Sequence, residues 1–255
     1  MTGTIINIIA VLVGGSLGTL LGNRLPERTR ESIMHGLGLV TLIIGVQLTL
    51  SQLAVAEAGL KRLSLIVVLA SILVGALIGE ALDLEARLDA LGRWLEARTA
   101  RLRRGNGAVP PAERGVSTFS RGFVTASLVF CVGPMTIIGA LRDGLHGDYT
   151  LLAIKSVLDG FGALAFASSL GVGVVFSAVT ILTYQGALAL GAHRLSLILS
   201  ELAIAEMSAT GGVLMLGIGF ALLDIKRVRV ANLLPAVFLA PLFTALALPG
   251  VSLLG

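Results

Sequence analysis

Three groups of polar residues stand inside stretches otherwise apolar enough to exclude water. Lys155 and Asp159 lie four apart in Lys-Ser-Val-Leu-Asp-Gly, so a helix puts both on one face as an ion pair, with Ser156 beside them. A charge at the centre of a bilayer costs ~2.5–3.5 kcal/mol on insertion scales, so it is normally paired and faces the protein interior. If the pair has a task, Asp159 is the ion or proton ligand, because a carboxylate binds and releases both. The competing reading is a structural pair near the surface, with Lys155 reaching up to water. Glu206 opens the second group, followed by Ser208, Thr210 and Gly211-Gly212. Carboxylate, hydroxyls and flexible backbone together suit a hard cation or a proton. The third is Thr183-Tyr184-Gln185-Gly186, where Gln185 needs interior partners and reads as glue between helices. Asn7, Gln47, Thr125, Ser127 and Cys131 are weaker cases of the same kind.

The backbone offers a second kind of chemistry. Pro134 in Gly133-Pro134 removes one helical hydrogen bond and frees a carbonyl deep in an apolar stretch. Such a carbonyl can coordinate a cation or a polar substrate. It can equally mark a kink cushioned by a neighbouring helix. Gly14-Gly15 is expected to interrupt the first apolar stretch in the same way.

These groups need elements that hold them out of water. The 255 residues are 55% hydrophobic and 13% charged, against roughly 25% charged in a soluble domain. Mean hydropathy is +0.95. A span needs about 20 mostly apolar residues. Candidates are Thr4–Gly22, Ile33–Leu53, Leu63–Leu82, Gly122–Leu141, Leu151–Leu170, Gly171–Leu190, Leu202–Leu223 and Val230–Leu248. The fifth and sixth abut, so one bent span or a re-entrant hairpin is an alternative there. The expected fold is an all-α polytopic membrane bundle of about eight spans. The first residues lack the cationic start of a signal peptide, so the first segment is expected to be retained.

Loop charges set the topology. Arg24, Arg28 and Arg30 follow the first span. Arg87, Arg93, Arg98, Arg101, Arg103, Arg104, Arg114 and Arg121 follow the third. Lys226, Arg227 and Arg229 follow the seventh. Eight spans with both termini outside put all three clusters in the cytoplasm, as the positive-inside rule requires. Merging segments five and six breaks that parity. Leu84, Leu88, Leu91 and Leu95 recur at helical spacing beside Trp94, which reads as an amphipathic helix on the cytoplasmic surface.

The two halves are weakly alike. Gly3-Thr-Ile-Ile-Asn precedes Gly14-Gly15 at the distance that separates Gly122-Phe-Val-Thr-Ala from Gly133-Pro134, and Ser32–Gly38 matches Ser156–Gly162. The repeat is inverted if spans one to three correspond to four to six, a common build of secondary transporters. This divides a single integral membrane domain into a first repeat (1–83), a cytoplasmic helix and linker (84–118), a second repeat (119–191) and two added spans (192–255).

No phosphate loop, dinucleotide fingerprint, zinc motif or Ser-His-Asp set is found, and His35, His146 and His193 lack metal-ligand spacing. No cofactor and no nucleic-acid partner are expected, and no metal is assigned. Cys131 is the single cysteine, which excludes an intrachain disulfide. At Cys131-Val-Gly-Pro-Met135, Lys155–Gly160, Tyr184-Gln-Gly186, Ser208–Gly212 and Asn232-Leu-Leu-Pro235, the chain resembles the YqgA-like family of bacterial inner-membrane proteins, domain of unknown function 554. The resemblance implies a multi-pass inner-membrane protein, often described as a transporter, and brings no activity with it.

The expected function is a cation- or proton-coupled secondary transporter, not an enzyme, with the lipid bilayer and a small solute or cation as partners. A channel is a close variant. One alternative is an enzyme acting on lipid through Asp143, His146 and Asp148, clustered in one loop. Another is a scaffold subunit, with Gly75-Ala-Leu-Ile-Gly79 allowing homo-oligomer contacts.

Overall fold

The computed structural model describes residues 1–22, 24–60, 63–88, 90, 94, 118–131, 133–196, 199–226 and 228–247. All regular structure among them is helical. The longer helices are α1 (Thr2–Gly22), α2 (Glu27–Leu60), α3 (Ser64–Leu82), α4 (Thr118–Cys131), α5 (Pro134–His146), α6 (Thr150–Leu170), α7 (Gly173–Leu190), α8 (Glu201–Leu222) and α9 (Pro235–Ala247), with a single helical turn at Ala192–Leu195. A 3₁₀ turn, Val230–Leu233, leads into α9. Among the described residues seven units are long and apolar enough to cross a bilayer: α1, α2, α3, α6, α7, α8 and the 3₁₀ turn with α9. The pair α4–α5, bent by 62°, makes an eighth crossing if it is one span. The bend therefore falls in the fourth crossing. Segments five and six are separate full-length helices, joined through Gly171 at φ 72°.

The contacts define two ends. Gly22 meets Ser168, Gly79 meets Asn232, Arg229 pairs with Glu80 at 2.9 Å, and Arg121 donates to the Ala221 carbonyl. At the other end Gly3 meets Leu152 and Gly59 meets Leu202. Arg24, Arg28, Arg87, Arg121, Lys226 and Arg229 thus gather at one end, as expected from the loop charges. The amphipathic helix falls mostly outside the described residues. Of those described, 84–88, 90 and 94 are helical, and Trp94 is exposed. The N–H of Glu85 donates to Asn232 Oδ1 at 2.7 Å, which ties the start of this segment to the turn before α9.

A belt of large apolar side chains faces outward, including Leu20, Ile43, Leu50, Leu65, Leu77, Phe161 and Leu190. In water a continuous apolar surface of this extent is rare. In lipid it is the solvated face. Its counterpart is α8, the most enclosed of the spans, packed on α2, α3 and α9. The interior is therefore the place for α8's polar residues, because lipid cannot satisfy them.

Gly14-Gly15 does not interrupt α1, which runs unbroken from Thr2 to Gly22. Glycine retains its N–H, so the helical ladder survives, whereas proline removes a donor. The small size of glycine is used for approach. Gly14, Gly18 and Gly22 lie against the backbones of Gly160, Leu164 and Ser168 on the parallel helix α6, with no space for a Cβ. Gly75 and Gly79 are likewise occupied within the chain, against Ala236 and Asn232 on the way into α9. That motif is intramolecular packing and offers no free oligomer face.

Candidate functional site

The interrupted crossing builds the site. α4 contributes 14 residues and α5 13, so the break falls midway. Gly133 stands at φ 146°, ψ 154°, a conformation open essentially only to glycine, and Pro134 begins α5. Nothing lies within 4 Å of where a Gly133 Cβ would be, so its requirement is conformational and not steric. Gly133→Ala is expected to lower stability by about 1–3 kcal/mol, the usual strain at such a position. Thermal unfolding of purified protein in detergent measures it, and an unchanged midpoint would contradict the backbone geometry.

Because Pro134 has no N–H, the Phe130 carbonyl loses its normal helical partner. Two side chains replace it. Lys155 Nζ donates at 2.6 Å and Thr136 Oγ1 at 3.1 Å. Lys155 also pairs with Asp159, four residues along α6, and both are more than nine-tenths buried. The Asn7 amide of α1 donates to Gln185 Oε1 on α7 at 3.2 Å, within electrostatic range of Asp159. Asn7 Oδ1 and Gln185 Nε2 have no hydrogen-bond partner, although both residues are fully buried. One acceptor and one donor thus stand open beside the ion pair. Buried polar atoms are rarely left so without reason. Ser156 does not join them, since its hydroxyl is turned to the Leu152 carbonyl of its own helix.

Cys131 ends α4 within electrostatic range of Lys155 and Asp159. It also lines an almost wholly apolar cavity of about 190 Å³ between α4, α7 and α9, with Ser127, Thr180, Tyr184 and Val237. A second cavity of about 210 Å³ lies at the basic end, lined by Ser120, Arg121, Thr125 and Asp224. Val124 borders both.

Glu206 does not belong to this cluster. It is fully buried on α8 and accepts a hydrogen bond from Ser64 at the start of α3. The sequence brought Asp159 and Glu206 into one functional proposal. The fold gives each its own partners. Ser64 was missed, and a serine opening a span carries no signal by itself. The carbonyl partner of Lys155 was also missed, although Pro134 names Phe130 as the freed group four residues earlier.

Asp143, His146 and Asp148 do not share one loop. α5 continues through Asp143 and Gly144 to His146 and stops at Gly147, φ 69°. Asp143 is therefore a buried helix residue. It accepts from the Gly3 N–H at 3.0 Å and pairs with the Met1 amine at 2.9 Å, a carboxylate at the positive end of α1. Asp148 is exposed. Hydrogen bonds from the Thr150 side chain and N–H hold its carboxyl below the usual aspartate range.

Fold and site together define a multi-pass helical membrane protein with a buried ion pair at a broken span. The chain belongs to the family described as "Protein of unknown function (DUF554)", whose model matches residues 2–245. It is 36% identical over 238 residues to the uncharacterized protein YqgA of Escherichia coli (strain K12), covering 93% of this chain and 94% of that one. It is 27% identical over 241 residues to the uncharacterized membrane protein YdfK of Bacillus subtilis (strain 168), covering 94% of each. No solved structure matches it.

Proposed function

We propose that this protein is a secondary transporter of a small solute or ion in the bacterial inner membrane, with its substrate site at the break between α4 and α5. One observation carries the reading. Lys155 bridges the carbonyl freed by Pro134 and the Asp159 carboxylate, beside the open polar atoms of Asn7 and Gln185. A buried ion pair is often no more stabilising than apolar residues of the same volume. Stability alone therefore does not account for one here. A pair that can be opened and remade does, because an incoming ion or polar solute can take over the Phe130 carbonyl or Asp159 as Lys155 swings away. The two cavities bordered by Val124 lie between the basic end and the break, one lined by Arg121 and the other by Cys131.

The inverted repeat belongs to the same proposal. α1 and the α4–α5 crossing run in opposite directions, and their glycine positions correspond. Of these two crossings only the second carries a proline, and only that one is broken.

A thermal-stability screen of ions and metabolites on the purified protein identifies a ligand, since binding the native state raises apparent stability. Flux of that ligand in reconstituted vesicles is then expected to collapse in Asp159→Asn while the protein stays folded. Undiminished flux in this variant would remove the site from the proposal.

A further inference from the structure

Glu206 is the titratable group that the broken-span site does not use. It lies five residues past Glu201, about 7.5 Å into the span at 1.5 Å per residue, and has no exposure. Ser64 Oγ donates to its Oε1, while Oε2 has no partner. One turn further along the same face of α8, Thr210 Oγ1 is also fully buried and without a partner. Among the described residues no cation pairs with the carboxylate. On the surrounding elements, Glu57 of α2 and Glu201 of α8 are exposed at the outer ends. Asp143 of α5 is engaged with the start of α1, and Arg121 of α4 lies at the opposite end with the Ala221 carbonyl. α9 carries no charged residue. Lys61 and Arg62, which precede α3, lie outside the described residues.

A carboxylate removed from water needs a compensating charge. We infer that Glu206, with the hydroxyls of Ser64 and Thr210, forms a binding site for one small monovalent cation, sodium or a proton. One negative charge with neutral oxygen donors fits a single positive charge. Among the described residues no group of three or more His, Cys, Asp or Glu assembles here or elsewhere for a transition metal. Ser64 stands in the first turn of α3, whose positive end also favours the free carboxylate, so the cation can be released as well as held. This inference stands on the geometry of α3 and α8 and not on the transport reading.

The test is the unfolding midpoint of the full-length protein in detergent, titrated with sodium chloride against choline chloride, and separately with pH in choline alone. The wild type is expected to gain several degrees in one of the two titrations, and Glu206→Gln to lose that gain. A response to sodium identifies the metal ion, and a response to pH alone identifies the proton. Ser64→Ala keeps the carboxylate and is expected to shift the half-saturating concentration roughly tenfold: upward for sodium, which loses an oxygen ligand, and downward for the proton, because the charged carboxylate loses its donor. It decides the matter if Glu206→Gln does not fold. A wild type flat in both titrations, equal responses in wild type and Glu206→Gln, or an unmoved midpoint concentration in Ser64→Ala overturns the inference.

Discussion

Lys155→Met is expected to destabilise the protein by about 3–5 kcal/mol, the range for removing one partner of a buried ion pair. Methionine fills the volume of the lysine stem, so the loss is not a cavity effect. Two groups are left without their donor: the Asp159 carboxylate and the Phe130 carbonyl. Thr136 still bonds the carbonyl, which moderates the second loss but does nothing for the carboxylate. The double variant Lys155→Met, Asp159→Leu removes both charges. It is expected to recover most of the lost stability, because replacing a whole buried pair by apolar residues is often neutral or favourable. Unfolding of the purified variants, read as a double-mutant cycle, measures both effects. The double variant also separates structure from function, since it is expected to fold and to transport nothing. If the two losses simply added, the groups would not be acting as a pair, and the site would have to be redrawn.

The second large effect lies on the seam between α1 and α6. Gly18→Leu is expected to cost at least about 3 kcal/mol, the upper end of the range for overpacking. The new side chain would meet the Leu164 backbone, which cannot rotate away as a side chain can. Gly14 and Gly22 repeat the contact one turn before and one turn after, so the helices cannot tilt to relieve it without opening the seam. That seam also carries Asn7 on α1 and Asp159 on α6, so the substitution is expected to disturb the site as well as the fold. Gly36→Ala is the control. Nothing lies within 4 Å of that position, and it sits inside α2. The change there is expected to be neutral or to stabilise by up to about 1 kcal/mol through helix propensity. Midpoints of thermal unfolding for the two variants should move in opposite directions or differ by many degrees. Similar midpoints would mean that α1 and α6 are not in backbone contact.

Much of the architecture is written in composition and spacing. Eight apolar stretches become seven full spans and one bent crossing, because hydropathy over about 20 residues is a local property and the bilayer reads it locally. The described members of the basic clusters gather at one end for a similar reason, since loop position follows from the count of crossings. Pro134 frees the Phe130 carbonyl whatever packs around it, as the missing donor is covalent, and the break comes with Gly133 before it, whereas Pro241 sits inside a continuous α9. Lys155 and Asp159 meet because a single helix fixes residues four apart on one face.

What required the tertiary structure is everything that depends on a second helix. Gly14-Gly15 looks the same in sequence whether it breaks a helix or seats one. Only the backbone of α6 lying against it selects the second role. Asp143 looks like a loop residue beside Gly144 and Gly147 until the continuation of α5 turns it toward the start of α1. Asn7 meets Gln185 across 178 positions, and Ser64 meets Glu206 across 142. Such pairings follow from which faces the helices bury against one another. In lipid that choice rests on small-residue fit and polar partnership more than on hydrophobicity, which is nearly uniform around the unbroken spans. The chain by itself thus determined where it crosses, which end is basic and which carbonyls lose a backbone donor to proline. The packing of the helices decided which polar groups share a site.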